Sequence, residues 1–136
     1  MKKTCSKCKE SKDLCCFSFD RSRKDMYEHR CKKCGTKRVI DGYRSLKGKV
    51  VNMYRSAVNR CKKDKYYIDR SVSFTICEFK DFVKTTNYKE IHGAWVKSGY
   101  KMKLSPSIDR IDNARGYDLD NIQIITVSEN ARKHDG

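Results

Sequence analysis

Four cysteines near the start of the chain are spaced to hold a metal ion. "CSKC" places Cys5 and Cys8 three apart, "CKKC" places Cys31 and Cys34 likewise, and 22 residues separate the pairs. A tight turn after the first cysteine of each pair lets both thiolates face one tetrahedral ion, with Zn–S distances of about 2.3 Å. Two such knuckles close a four-sulfur site, the pattern of a structural zinc. A second set of chemistry-bearing residues lies in "SIDRIDNARGYDLDNIQIITVSENARK", residues 107–133. Here Asp109 and Arg110 end a short apolar run, Asn121 opens another, and Asn130 and His134 follow on a polar segment.

The other four of the eight cysteines read as small buried hydrophobes. Cys15 and Cys16 sit in "LCCFSF", a run with a strand-like look, where adjacent side chains point to opposite faces. Cys61 and Cys77 fall in helical patterns. A second metal shared by one of the adjacent cysteines and His29 is the minor alternative. The chain starts without a charged-then-apolar export signal, and the eight cysteines therefore favour ligation over a disulfide framework.

The 136 residues allow one ordinary domain or two very small ones. Against 17 Asp and Glu stand 32 Lys and Arg, a net charge of +15. Such an excess suits a polyanion that releases counterions on binding, nucleic acid above all. The bland alternative is a generic basic surface. An anionic membrane surface is disfavoured, because no window approaches the roughly 18 apolar residues of a spanning helix. The expected setting is intracellular.

Three modules should position these residues. Residues 1–38 form the four-cysteine zinc module; with so little apolar content, the metal must supply much of its folding energy. Residues 39–74 form a basic helical connector. Val50, Tyr54, Ala57, Val58 and Cys61 recur on one helix face, and Lys49, Arg55, Asn59, Arg60 and Lys62 on the other. Lys49, Arg55, Arg60 and Lys62 are the expected phosphate contacts. Residues 75–136 begin with a helical platform. Thr75 with Glu78 makes a capping box ahead of Ile76, Phe79, Phe82 and Val83. A further helix starts at Asn87, with Glu90 three later, buries Tyr88, Ile91 and Trp95, and ends at Gly99 as a left-handed cap. His92 lies on it, a plain polar histidine by default, and Trp95 reads as a core anchor. Ser107–Ile111 reads as a strand, "ARGYD" as a loop, Asn121–Val127 as a second strand. Thr126 with Glu129 caps a final helix carrying Asn130 and His134 at i and i+4. The fold class is α+β, a zinc knuckle followed by a helical platform and a ββα finger, expected to pack as one unit.

Residues 75–136, with "AWVKSGY" and "LSPSIDRIDNARGYDLDNIQIITVSENARK", resemble the HNH (His-Me finger) endonucleases. The likeness is to phage-encoded members with a Cys-rich zinc module, several of them free-standing homing endonucleases. The resemblance implies a Mg²⁺- or Mn²⁺-dependent DNA endonuclease acting in the cytoplasm of a bacterial host. Asp109 and Asn130 would hold the ion with hard oxygens, and Asn121 would hold the loop and orient the general base. The family's base is a histidine directly after the aspartate, and here that position is Arg110. A guanidinium stays protonated, so it cannot take a proton from water, but it could grip the phosphate. The replacement base would come from His134, His92 or Tyr100, with Tyr117 also flanking the strand. His134 could equally be a third ligand.

Double-stranded DNA is the implied partner. One such site cuts one strand, so nicking or double-strand cleavage turns on whether the chain is a monomer or a homodimer, which the sequence leaves open. Two rivals stand beside this reading. One is a zinc-dependent DNA-binding regulator, such as an anti-host factor, whose finger has lost catalysis. The other is RNA binding or cleavage.

Overall fold

The computed structural model describes residues 1–63 and 71–134, with the backbone alone for His134. It is α+β and divides into two compact units, Met1–Ser45 and Leu46–Gly136. The expected boundary at residue 38 falls inside a helix that continues to Arg44. No helix among the described residues is long and apolar enough to cross a membrane.

The first unit pairs β1 (Lys2–Thr4) with β2 (Ser11–Asp13) and β3 (Phe17–Phe19) with β4 (Tyr27–Cys31), both antiparallel. Its buried residues are Cys5, Phe17 and Cys31. Leu14–Cys16 form a single 3₁₀ turn, not the start of a strand. Cys15 is consequently exposed and Cys16 half-buried, which corrects their reading as buried hydrophobes; Cys77 is exposed too. Helix α1 (Lys32–Arg44) starts within the second knuckle and buries none of its residues. Its start at Lys32, within the expected zinc module, was not foreseen from the sequence, because "KKCGTKRVIDGYR" lacks an apolar stripe.

The second unit begins with α2 (Leu46–Lys63), α3 (Ile76–Lys84) and α4 (Tyr88–Lys97). The capping box on α3 forms as expected: Glu78 N–H donates to Thr75 Oγ1 at 3.2 Å, and Thr75 N–H donates to Glu78 Oε2 at 2.7 Å. Helix α4 starts where expected but without a capping box. Asn87 makes no side-chain cap, and Thr86 Oγ1 instead accepts from Tyr88 N–H at 3.2 Å. At its other end Gly99 has φ +76°, Tyr100 N–H donates to Trp95 O, and Gly99 N–H donates to Val96 O. That pair of bonds is the Schellman closure.

Strands β5 (Pro106–Arg110) and β6 (Ile122–Thr126) form an antiparallel hairpin, and α5 (Val127–His134) follows directly. Thr126 and Glu129 cap α5 reciprocally, at 2.8 and 3.2 Å. Strand alternation gives the hairpin two faces. Ile108, Ile122 and Ile124 join Val50, Met53, Ala57, Phe74, Phe79, Val83, Tyr88 and Tyr117 in the core. Ser107 and Asp109, opposite Ile125 and Gln123, occupy the other face, toward α5.

Candidate functional site

The four cysteine sulfurs Cys5, Cys8, Cys31 and Cys34 lie within 4.8 Å of one another, a set that could hold a metal ion such as zinc. Backbone geometry already favours anionic sulfur. Cys31 N–H donates to Cys5 Sγ at 3.3 Å and Lys7 N–H at 3.4 Å. The backbone donors of Cys31, Cys8 and Lys7, that of Cys31 first, bring the Cys5 thiol down to about 5. The Cys34 thiol is pushed up to about 12, chiefly by sharing a proton with Cys31. One sulfur readily ionised beside one that resists is what crowding four acids together produces; a dication removes the conflict. Lys12 Nζ stands 3.6 Å from Cys31 Sγ and 2.9 Å from Glu10, adding positive charge beside the sulfurs.

The finger is built by its loop. Asn121, 1% exposed, is a staple across residues 111–121. Its Oδ1 accepts from Asp112 N–H at 2.9 Å, and its Nδ2 donates to Asp112 O at 3.1 Å and Gly116 O at 2.8 Å. The loop is tied from outside as well: Ser73 N–H donates to Tyr117 O and Tyr117 N–H to Ser71 O.

Arg110 belongs to the same scaffold. It shares the core face of β5 with Ile108 and is 5% exposed. Its Nη1 donates to Asn113 O at 3.1 Å and Arg115 O at 3.0 Å, and its guanidinium sits 5.5 Å from the Tyr117 ring centre. The expectation of a phosphate grip is therefore corrected: alternation from Ile108 turns this side chain inward, where it pins the loop.

Asp109 points the opposite way and is 4% exposed. Its Oδ2 accepts from Gln123 Nε2 and from Lys133 Nζ, both at 2.9 Å. Asn130, on α5, reaches the same strand face through a long contact of 3.5 Å from Nδ2 to Ser107 Oγ. Its Oδ1 is buried and finds no hydrogen-bond partner among the described residues. Turning the amide over would satisfy the oxygen with Ser107 and orphan the nitrogen, so one end of this buried amide stays unmet.

The remaining expected residues fall elsewhere. His92 is buried on α4, its ring 5.7 Å from those of both Tyr88 and Trp95, and is a core residue in these contacts. Tyr100 stacks edge-on against Trp95 at 5.1 Å, and Tyr117 O–H receives Arg60 Nη1 at 3.2 Å. The side chain of His134 lies outside the described residues. On α2, Arg55, Arg60 and Lys62 are exposed as expected. Lys49 is not: it is 5% exposed, with Nζ 5.0 Å from the Trp95 ring centre. It shares a helix stripe with Met53 and Ala57 at i+4 and i+8, so its stem packs with them. The pairing His29–Arg23, Nδ1 to Nη2 at 3.0 Å, gives no sign of a second metal with Cys15 or Cys16.

Sequence reasoning missed Lys133 and Gln123. Gln123 was readable, because it faces Asp109 in strand register. Lys133 lies three residues past Asn130, the other helix-neighbour spacing beside the i+4 that drew attention to His134. No family model matches this chain, and neither a curated protein nor a solved structure does.

Proposed function

We propose that the chain is a Mg²⁺- or Mn²⁺-dependent DNA endonuclease of the HNH type, with zinc in the four-cysteine cluster as a structural ion. The observation that carries the reading is the joint placement of Asp109 and Asn130 on one side of β5, with an unmet buried amide end between strand and helix. A carboxylate and an amide oxygen are the hard donors a magnesium-type ion takes while keeping several waters. Bound there, the ion would supply Lewis-acid stabilisation to a phosphodiester.

The chain's own residues do the rest. Arg55, Arg60 and Lys62 on α2 engage DNA phosphates. Asn121 and Arg110 fix the loop that follows Asp109, so the carboxylate is presented from a rigid strand end. A general base takes the proton of the attacking water. The water oxygen bonds to phosphorus, the P–O3′ bond breaks, and the leaving oxygen takes a proton from solvent water, so that 5′-phosphate and 3′-hydroxyl ends remain. Plasmid nicking in Mg²⁺, compared between the intact chain and Asp109→Ala, tests this. Nicking that needs Asp109 supports it; nicking that survives the substitution, or none in either, refutes it.

The inward turn of Arg110 favours one second reading. With no guanidinium facing out of β5, the finger could serve a DNA-binding regulator that does not cut. Salt-sensitive duplex binding without nicking would identify that case.

A further inference from the structure

Lys133 is more than a fastening between α5 and β5. An ammonium has three N–H donors, and Lys133 Nζ meets three oxygens: Asp109 Oδ2 at 2.9 Å, Ile111 O at 3.1 Å and Arg110 O. One carboxylate and two backbone carbonyls are the donor set of a hard cation. The pair is not a loose surface bridge, since the Asp109 side chain is 4% exposed and that of Lys133 29%. Gln123 delivers a further donor to the same carboxylate oxygen, which steadies it for a cationic partner.

We propose that Lys133 is a built-in counter-cation of the finger, seated on Asp109, so that loading a divalent ion and releasing Lys133 are one exchange. The inference rests on the reading of Asp109 and Asn130 as an ion-binding pair. A divalent ion on Asp109 would meet the ammonium at close range, and two cations cannot share one carboxylate without repulsion. The released side chain is a point charge on a flexible four-carbon stem, carried by the same helix as Asn130. A DNA phosphate is its natural new partner. The ion and DNA therefore bind with positive linkage, each making the other's binding tighter.

The test is Mn²⁺ binding to the zinc-loaded full chain without DNA, read from the electron paramagnetic resonance signal of free Mn²⁺. Lys133→Met and Lys133→Gln should each bind Mn²⁺ at least about tenfold more tightly than the unaltered chain. Adding Asp109→Asn should remove that binding. A second measurement needs no variant: acetylation of the unaltered chain, mapped by mass spectrometry. Lys133 should be protected without a divalent ion and become reactive in saturating Mg²⁺. Equal Mn²⁺ affinities, Lys133 protection that ignores Mg²⁺, or no Asp109-dependent binding in any form would each overturn the proposal. Plasmid nicking is scored separately. Exchange without nicking keeps the counter-cation and refutes the nuclease, whereas nicking without exchange does the reverse.

Discussion

The guanidinium of Arg110 lies over the ring of Tyr117, 5.5 Å from its centre, and both residues are almost fully buried. The same guanidinium ties two carbonyls of the loop that contains Tyr117. Charged hydrogen bonds of this kind contribute about 1.5–3 kcal/mol each. Arg110→Ala should therefore cost about 3 kcal/mol of stability in denaturant unfolding. Arg110→Lys should recover part of it, because both bonds come from one nitrogen, Nη1, which an ammonium can imitate, while the flat guanidinium over the Tyr117 ring is lost. An Arg110→Ala chain as stable as the original would show that the loop does not depend on this pin.

The basic face of α2 should separate into two kinds of lysine and arginine. Arg55→Ala and Lys62→Ala are each expected to weaken duplex binding across all sequences and to lower the salt slope by about one. Lys49→Met should leave affinity and slope unchanged, since the residue is buried against Trp95. Fluorescence anisotropy at several salt concentrations measures both.

The four-cysteine cluster predicts an acid limit. A thiol lowered on folding contributes stability that is present above its unfolded value and lost as pH falls through its folded one. For Cys5 that folded value is about 5. Protons compete with zinc for all four sulfurs, so zinc release, followed with a zinc-sensitive dye, should increase as pH falls. Zinc retention that does not change on acidification would mean that the four cysteines do not hold the ion as thiolates.

The caps give a local test. Thr126→Ala removes the acceptor for Glu129 N–H at the start of α5 and should cost about 1 kcal/mol. If α5 carries Lys133 onto Asp109, the same variant should also raise acetylation of Lys133. A loss of stability without that change would separate the helix start from the ion pair.

Which parts of this were legible in the sequence follows from the range of the forces involved. Caps at Thr75 and Thr126 involve residues three apart, so the pattern names them. The hairpin and its two faces follow from alternation, and the cysteine spacing brings its own geometry. Lys49 was misplaced because its charge hid its position in the apolar stripe of α2, and its head group lies by Trp95, 46 residues away. Arg110 was misassigned although alternation from Ile108 pointed it inward, because its chemistry suggested a ligand outside. Helix α1 has no buried side to advertise it. The bond from Lys133 to Asp109 joins residues 24 apart and depends on the docking of α5, which no local pattern encodes.

The two units carry unequal apolar cores. That of Leu46–Gly136 draws aliphatic and aromatic side chains from α2, α3, α4 and the hairpin, whereas that of Met1–Ser45 has Phe17 between two cysteines. Heat-capacity change on unfolding scales with apolar surface exposed, so calorimetry will register the second unit and scarcely see the first. A chelator should strip the first unit's structure while leaving that calorimetric peak in place. A single unfolding free energy then describes this chain poorly, because zinc bears on the stability of one unit and a divalent ion at Asp109 on that of the other.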